Sequence, residues 1–130
     1  MVFLNTYEFL DFSRSVPNSV VYTGGMHLQE PKPLPEVNLR SYIENATNGV
    51  VYMSLGSKCE SSDLPKETLQ YTGHPNVKAF ITHAGLRSTD EAIAAGVPLI
   101  GLPLLVDQFT NAHNYVLHDI GVQLDITTLY

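Results

Sequence analysis

An α/β fold built on a parallel sheet is predicted for this chain, on three observations. Short apolar runs of the buried-strand type recur at "GVVYMSLGS", "NVKAFITHAG", "VPLIGLP" and "VQLDI". Helix-forming segments sit between them, at "STDEAIAAG" and "DQFTNAHNYVLHDIG". Strands alternating with helices make βαβ units, whose strands lie parallel. The third observation is the handover at "FITHAGLRSTDEAIAAGVP", residues 80–98, where an apolar run stops at Thr82-His83 and passes through Gly85 into a helix.

Composition bounds the rest. Hydrophobic residues make up 44% and charged residues 15% of 130 residues, which suits one globular domain and excludes disorder. Seven Lys+Arg against thirteen Asp+Glu give a net charge of -6. That balance opposes nonspecific nucleic-acid or acidic-membrane binding, so no nucleic-acid partner is expected. Cys59 is the lone cysteine, and His27, His74, His83, His113 and His118 are scattered without zinc spacing, so no metal site is expected. No apolar run approaches the roughly 20 residues that span a bilayer. Met1-Val2-Phe3-Leu4 is too short for a signal-peptide core and lacks a basic flank. By itself the chain reads as soluble.

Along the chain, residues 1–49 form a linker leading into the domain that occupies 50–130. The Pro-rich segment "EPKPLPEVN" (30–38) reads as semi-rigid extended chain. "LRSYIENATNG" (39–49) reads as a short helix with Leu39, Tyr42, Ile43 and Ala46 on one face and Gly49 as its stop. Strands are expected at 50–56, 77–82, 97–102 and 122–126. "SSDLPKETLQ" adds a helix with Asp63 as N-cap and Pro65 in its first turn. The helix in "STDEAIAAG" is bounded by Ser88 and Gly96, and the one in "DQFTNAHNYVLHDIG" is stopped by Gly121.

The handover at His83 has chemical content. Ser88 with Glu91 three residues later has the spacing of a capping box, so the helix is expected to start at Ser88, with Glu91 favoured by the helix dipole. Free amides at a helix N-terminus make an anion site, and Gly85 leaves room for a phosphate to approach. His83 offers a hydrogen-bond donor to the same space. Ligands of open α/β sheets bind at this carboxyl edge. The same features also occur as ordinary caps with no ligand. Asp107-Gln108 follow the third strand one βα unit along; a carboxylate beside an amide grips sugar hydroxyls, while Asp107 alone would serve as an N-cap. Gly56-Ser57, after the first strand, form a third loop at this edge. Neither G-x-G-x-x-G, nor a P-loop, nor an Asp-x-Asp pair is present.

"VVYMSLGS" and "HPNVKAFITHAGLRSTDEAIAAGVPLIGLPLLVDQFTNAHN", with "NSVVYTGGMHLQEPKPLPEVNLRSYIENATNG" upstream, resemble the UDP-glycosyltransferases of the UDP-glucuronosyltransferase type, in wording closest to insect members. The resemblance covers nearly the whole chain and is most specific over 74–114. It implies a Rossmann-like parallel sheet, the C-terminal half of a GT-B architecture. It implies that His83, Gly85 and Ser88 contact a diphosphate, that Ser57 lies by the phosphates, that Glu91 holds the ribose, and that Asp107 and Gln108 hold the sugar. The donor implied is UDP-glucose or UDP-glucuronate, used as co-substrate without a cofactor, and the acceptor is a small lipophilic hydroxyl compound. Metal-independent inverting transfer, detoxification, and a lumenal endoplasmic reticulum membrane location follow from the same resemblance. Two positions depart from the family's pattern. Ala84 stands for the first of two glycines, which costs energy if its φ is positive. Arg87 stands for Asn or Leu and either adds a phosphate contact or crowds the pocket.

The family also carries several dozen more residues between "LPKETLQ" and "HPNV", supplying two strands and the Trp and Gln that hold uracil. Here Gln70 runs into Tyr71, and the chain has no Trp. The domain is therefore expected to be incomplete, lacking two edge strands. Tyr71 is the one candidate substitute for the lost base contact. The remaining four strands can still be contiguous, provided that the helix near 64–71 changes faces. A newly exposed first strand is an aggregation-prone edge, so marginal stability is expected. The family's general base and its membrane helix lie in other parts of the enzyme, so this chain by itself is expected to bind donor without turnover. The alternative is a non-catalytic or regulatory piece that pairs with full-length enzyme. A sugar-nucleotide epimerase is a third reading, disfavoured by the linker-like 1–49.

Overall fold

The computed structural model describes residues 1–10, 15–30, 34, 37–56 and 69–125. The chain divides into two compact units, Met1–Glu30 and Pro31–Tyr130. In the first, β1 (Val2–Leu4) pairs in parallel with β2 (Val20–Tyr22), and a 3-10 turn (Glu8–Leu10) follows β1. The Tyr7 ring lies against the backbone of Gly24, where a Cβ would come within 2.5 Å of it. This parallel pair is not evident from the sequence, since each strand is only three residues long.

The second unit holds α1 (Val37–Glu44), β3 (Val50–Ser54), α2 (Leu69–Thr72), β4 (Val77–Thr82), α3 (Leu86–Ala95), β5 (Leu99–Gly101), α4 (Val106–Leu117) and β6 (Gly121–Gln123). Its sheet is parallel throughout, in the order β3-β4-β5-β6. The expected contiguous four-stranded α/β sheet is present.

Several boundaries differ from expectation. α1 ends before Ala46, and Tyr42 is exposed while Ile43 is buried. Asn45 ends the helix by turning its amide back onto the Ser41 carbonyl. α4 stops at His118, where Asp119 takes a left-handed φ of 53°, so Gly121 opens β6 instead of stopping the helix. Asp63, Pro65 and Ile126 lie outside the described residues. α2 does lie with α3 and against β4, the change of faces that a four-stranded sheet requires.

Side-chain alternation builds the core. Val50 and Tyr52 of β3 pack inward while Val51 and Met53 face water. Phe80, Leu99, Ala92, Ala112 and Tyr115 are fully buried together. Burial of a side chain the size of Phe80 or Leu99 contributes about 1.5–3 kcal/mol. Tyr52 stacks between Phe80 (5.1 Å) and Tyr71 (5.2 Å), joining this core to the cluster of Leu34, Ile43 and Tyr71. Asn76 Nδ2 donates to the Ile43 carbonyl (2.9 Å), satisfying the C-terminal end of α1 from the β4 side. Among the described residues no helix is long and apolar enough to cross a membrane.

The Tyr115 hydroxyl and the Thr89 Oγ1 form a buried hydrogen bond between α4 and α3. Burial pushes the Tyr115 hydroxyl up to about 12; the Asp90 carboxylate adds to this and the Thr89 bond opposes it. Above pH 10 or so the unfolded chain releases a tyrosine proton that the folded chain keeps. Tyr115 therefore stabilises the fold fully below about pH 10, and that contribution is lost as pH rises towards 12. Urea unfolding at about pH 8 and about pH 11 is expected to show the loss. Tyr115→Phe should remove this share while costing about 1 kcal/mol at the lower pH.

Candidate functional site

β4 leaves the sheet at Thr82, and the chain turns into α3 within three residues. Thr82 Oγ1 accepts the Ala84 amide at 3.3 Å. Ala84 takes a left-handed φ of 64° with its methyl fully buried. That conformation costs a non-glycine residue about 1–2 kcal/mol, so the condition attached to Ala84 is met. Asn111 Nδ2, on α4, donates to the Ala84 carbonyl at 2.9 Å and fastens the turn to the next βα unit. Gly85 returns to extended backbone (φ -69°, ψ 138°) and becomes the N-cap of α3. Its carbonyl accepts both the amide and the hydroxyl of Thr89, each at 3.0 Å.

The His83 ring sits on this turn. A Cβ on Gly85 would lie 2.5 Å from Nε2, and one on Gly56 would lie 2.6 Å from Cε1. Two backbone segments therefore press against the imidazole, one from the end of β3 and one from its own turn. Among the described residues the buried Nδ1 has no hydrogen-bond partner. Burial holds the imidazole below its ordinary 6.5, against the backbone of Ser54 and the charge of Asp107, which both favour the cation. The ring is thus neutral at pH 7, with one N–H to donate and one nitrogen to accept. Because the Thr89 amide makes the first bond of α3, the amides of Leu86, Arg87 and Ser88 have no backbone partner among the described residues and stand at the positive end of a ten-residue helix.

The structure corrects the helix start. α3 begins at Leu86, not Ser88, and no side chain among the described residues caps it. Gly85 enters the helix directly, so Ser88 is its third residue and contributes its amide, not a cap. Glu91 consequently lies one turn further in, outside the first turn, half-buried and on the face shared by Arg87 and Ser88. The side-chain cap occurs in α4 instead. Its N-cap is Leu105, and buried Gln108 turns back so that Oε1 accepts the amides of Leu104 (2.8 Å) and Leu105 (2.9 Å). Asp107 is the second residue of α4, exposed, and close enough for its charge to act on His83. Ser57 lies outside the described residues. Tyr71 is buried and stacked on Tyr52, so it belongs to the core and offers no base platform.

His83, Gly85 and Asp107 are therefore brought together, with the first turn of α3 beside them. The seating of His83 on Gly56 and the anchoring role of Asn111 went unread in the sequence. Gly56 carried a signal, a glycine at a strand's end; Asn111 carried none, since its partner is a backbone carbonyl on another element.

A sequence profile described as "UDP-glucoronosyl and UDP-glucosyl transferase" matches residues 1–71 and 62–130. The ecdysteroid UDP-glucosyltransferase of Lymantria dispar multicapsid nuclear polyhedrosis virus is 36% identical over 99% of this chain and 34% of its own length. Human UDP-glucuronosyltransferase 2B17 is 28% identical over 99% of this chain and 31% of its own. The chain thus spans about a third of the length of these relatives. Among solved structures, Arabidopsis thaliana UGT89C1 complexed with UDP covers 72% of this chain and 34% of its own at a TM-score of 0.56 and 18% identity. Its complex with quercetin covers 80% of this chain and 37% of its own at 0.61 and 17%. At these identities the structures establish a shared fold.

Since Gly85 leaves no room for a Cβ beside the imidazole, Gly85→Ala is expected to displace the ring and cost about 1–3 kcal/mol. The His83 ring resonance should titrate below 6.5 in the parent chain and move up towards it in the variant. The unfolded chain protonates His83 more readily than the folded one, so its contribution to stability is present above about pH 6.5 and lost as pH falls further.

Proposed function

Because the chain belongs to the UDP-glucoronosyl and UDP-glucosyl transferase family, we propose that it is the donor-holding part of a UDP-glycosyltransferase, binding a UDP-sugar at the carboxyl edge of β3-β4-β5-β6. The observation that carries this reading is the set of amides at Leu86, Arg87 and Ser88, without a backbone partner among the described residues, beside the seated imidazole of His83. Oriented amides and a helix dipole suit a diphosphate, and the neutral ring can donate a further hydrogen bond. Arg87, exposed in the first turn of α3, adds a cation to the same end.

The remaining roles follow chemically. Glu91 would take both hydroxyls of the ribose, since a planar carboxylate accepts two hydrogens from a vicinal diol. Asp107 and the amide nitrogen of Gln108 would hold the sugar; the Gln108 oxygen is already engaged by the loop. Ser57 would lie by the phosphates. The viral relative is named a glucosyltransferase, which favours UDP-glucose over UDP-glucuronate as donor. In the whole enzyme a base outside this chain would take the proton of a lipophilic acceptor hydroxyl. That oxygen attacks the anomeric carbon, UDP leaves, and the configuration inverts. Such an enzyme would work in detoxification on the lumenal side of the endoplasmic reticulum membrane.

We further read residues 1–49 as linker and 50–130 as a donor domain short of two edge strands. The alignment with the viral relative runs over 171 positions, exceeding the chain's own 130 residues by 41. The family profile matches in two stretches that overlap at 62–71, which supports a shortfall there. With Tyr71 in the core, binding should rest on the diphosphate more than on the base.

Calorimetry with UDP, UDP-glucose and UDP-glucuronate tests the reading. Saturable heat is expected, weakened about tenfold or more by Glu91→Ala, as loss of a charge-assisted pair implies. An absence of heat at millimolar ligand would contradict it.

A further inference from the structure

Asn45-Ala46-Thr47 is an Asn-x-Thr tripeptide without proline, the acceptor pattern for an N-linked glycan, and it has no part in the donor site. No other asparagine of the chain has Ser or Thr two residues on. The structure holds this tripeptide open. Asn45 and Thr47 are both exposed, on the turn that joins α1 to β3. The Asn45 amide donates locally, to the Ser41 carbonyl (2.7 Å) and to Ser41 Oγ (3.2 Å). Nδ2 carries two hydrogens, so the shorter bond can persist when the other hydrogen is replaced. The turn has its own backbone bonds, Ala46 to the Ile43 carbonyl (3.3 Å) and Gly49 to the Ala46 carbonyl (3.0 Å). Asn76 Nδ2 satisfies the end of α1 separately, donating to the carbonyls of Ile43 and Glu44. Tyr42, three residues before Asn45 and 70% exposed, stands one turn back on the same side. A first sugar on Asn45 would lie along that ring and remove apolar surface from water.

We propose that Asn45 carries an N-linked glycan, an inference that rests on the reading of a lumenal enzyme. Asn45 Nδ2 bonds to the anomeric carbon of an oligosaccharide, whose bond to a lipid-linked diphosphate breaks. The lipid diphosphate leaves with the electron pair, and Nδ2 gives up one of its two hydrogens as a proton. Thr47 supplies the hydroxyl that the acceptor pattern requires. The glycan, bulky and hydrated, stands clear of the donor cradle. The end of α1 is tied to Asn76, just before β4, so Asn45 lies at the amino edge of the sheet, while His83 stands at the carboxyl edge. β4, with 6 residues at about 3.3 Å each, puts about 20 Å between those edges.

The whole chain, translated behind a cleavable leader into pancreatic microsomes, tests the site. The protease-protected product is expected to include a slower band that endoglycosidase H collapses. Asn45→Gln and Thr47→Ala should each abolish that band, and Thr47→Ser should keep it. Thr47→Ala leaves the Asn45 amide and its bonds to Ser41 in place, so its loss of the band reports the acceptor pattern itself. A protected chain that runs as one band, or a slower band that survives Asn45→Gln, would overturn the proposal. No UDP-sugar enters the assay and the leader imposes the location, so this failure would leave the donor reading standing. In the protein isolated from its own cells, peptide mass spectrometry is expected to find Asn45 converted to Asp by N-glycosidase. An unmodified Asn45 there would overturn the proposal too, and beside a positive microsome result it would trace the failure to the lumenal location.

Discussion

The contact between the His83 imidazole and the backbone at Gly56 and Gly85 is the constraint from which the site follows. A ring held that closely leaves no space for a Cβ at either glycine. It fixes how far the end of β3 stands from the turn after β4, and it sets the direction in which the chain leaves the sheet. The direction of α3 and the three amides at its start are consequences. Asp107, arriving from the next βα unit, completes the arrangement by acting on the same ring.

Holding that geometry has a cost, which Ala84 bears. Its left-handed backbone stores about 1–2 kcal/mol that a glycine would avoid. Three interactions offset it. The buried methyl contributes about 0.8 kcal/mol. The bonds to Thr82 Oγ1 and Asn111 Nδ2 each contribute about 0.5–1.5 kcal/mol. The alanine is thus tolerated because the turn is tied on both sides, to the strand before it and to the helix of the following unit.

The order of strands and helices was legible because each buried strand here is a compact apolar run, and because glycine or an Asp-Gln pair punctuates the turns. The position of the site was legible for the same reason, since parallel strands bring their carboxyl-end loops to one edge. What escaped was local. Ser88 and Glu91 have capping spacing, but Gly85 starts the helix three residues earlier and needs no cap. Gln108 performs the reciprocal role that spacing alone assigned to Glu91, because the loop before α4 presents two amides to it. Tyr71 reads as a possible base platform only until its stacking on Tyr52 is seen. These outcomes depend on tertiary neighbours, which single-chain spacing does not encode.

All four strands run parallel, so their carboxyl ends share one edge, and the cradle at α3 stands there. Its central claim, that the amides of Leu86, Arg87 and Ser88 and the His83 ring act together on one diphosphate, is open to direct observation by nuclear magnetic resonance. On titration with UDP, these three amides and the His83 ring resonances should shift together along one saturation curve, while amides near Val116 stay fixed. Saturation seen elsewhere with those amides unmoved would contradict the account.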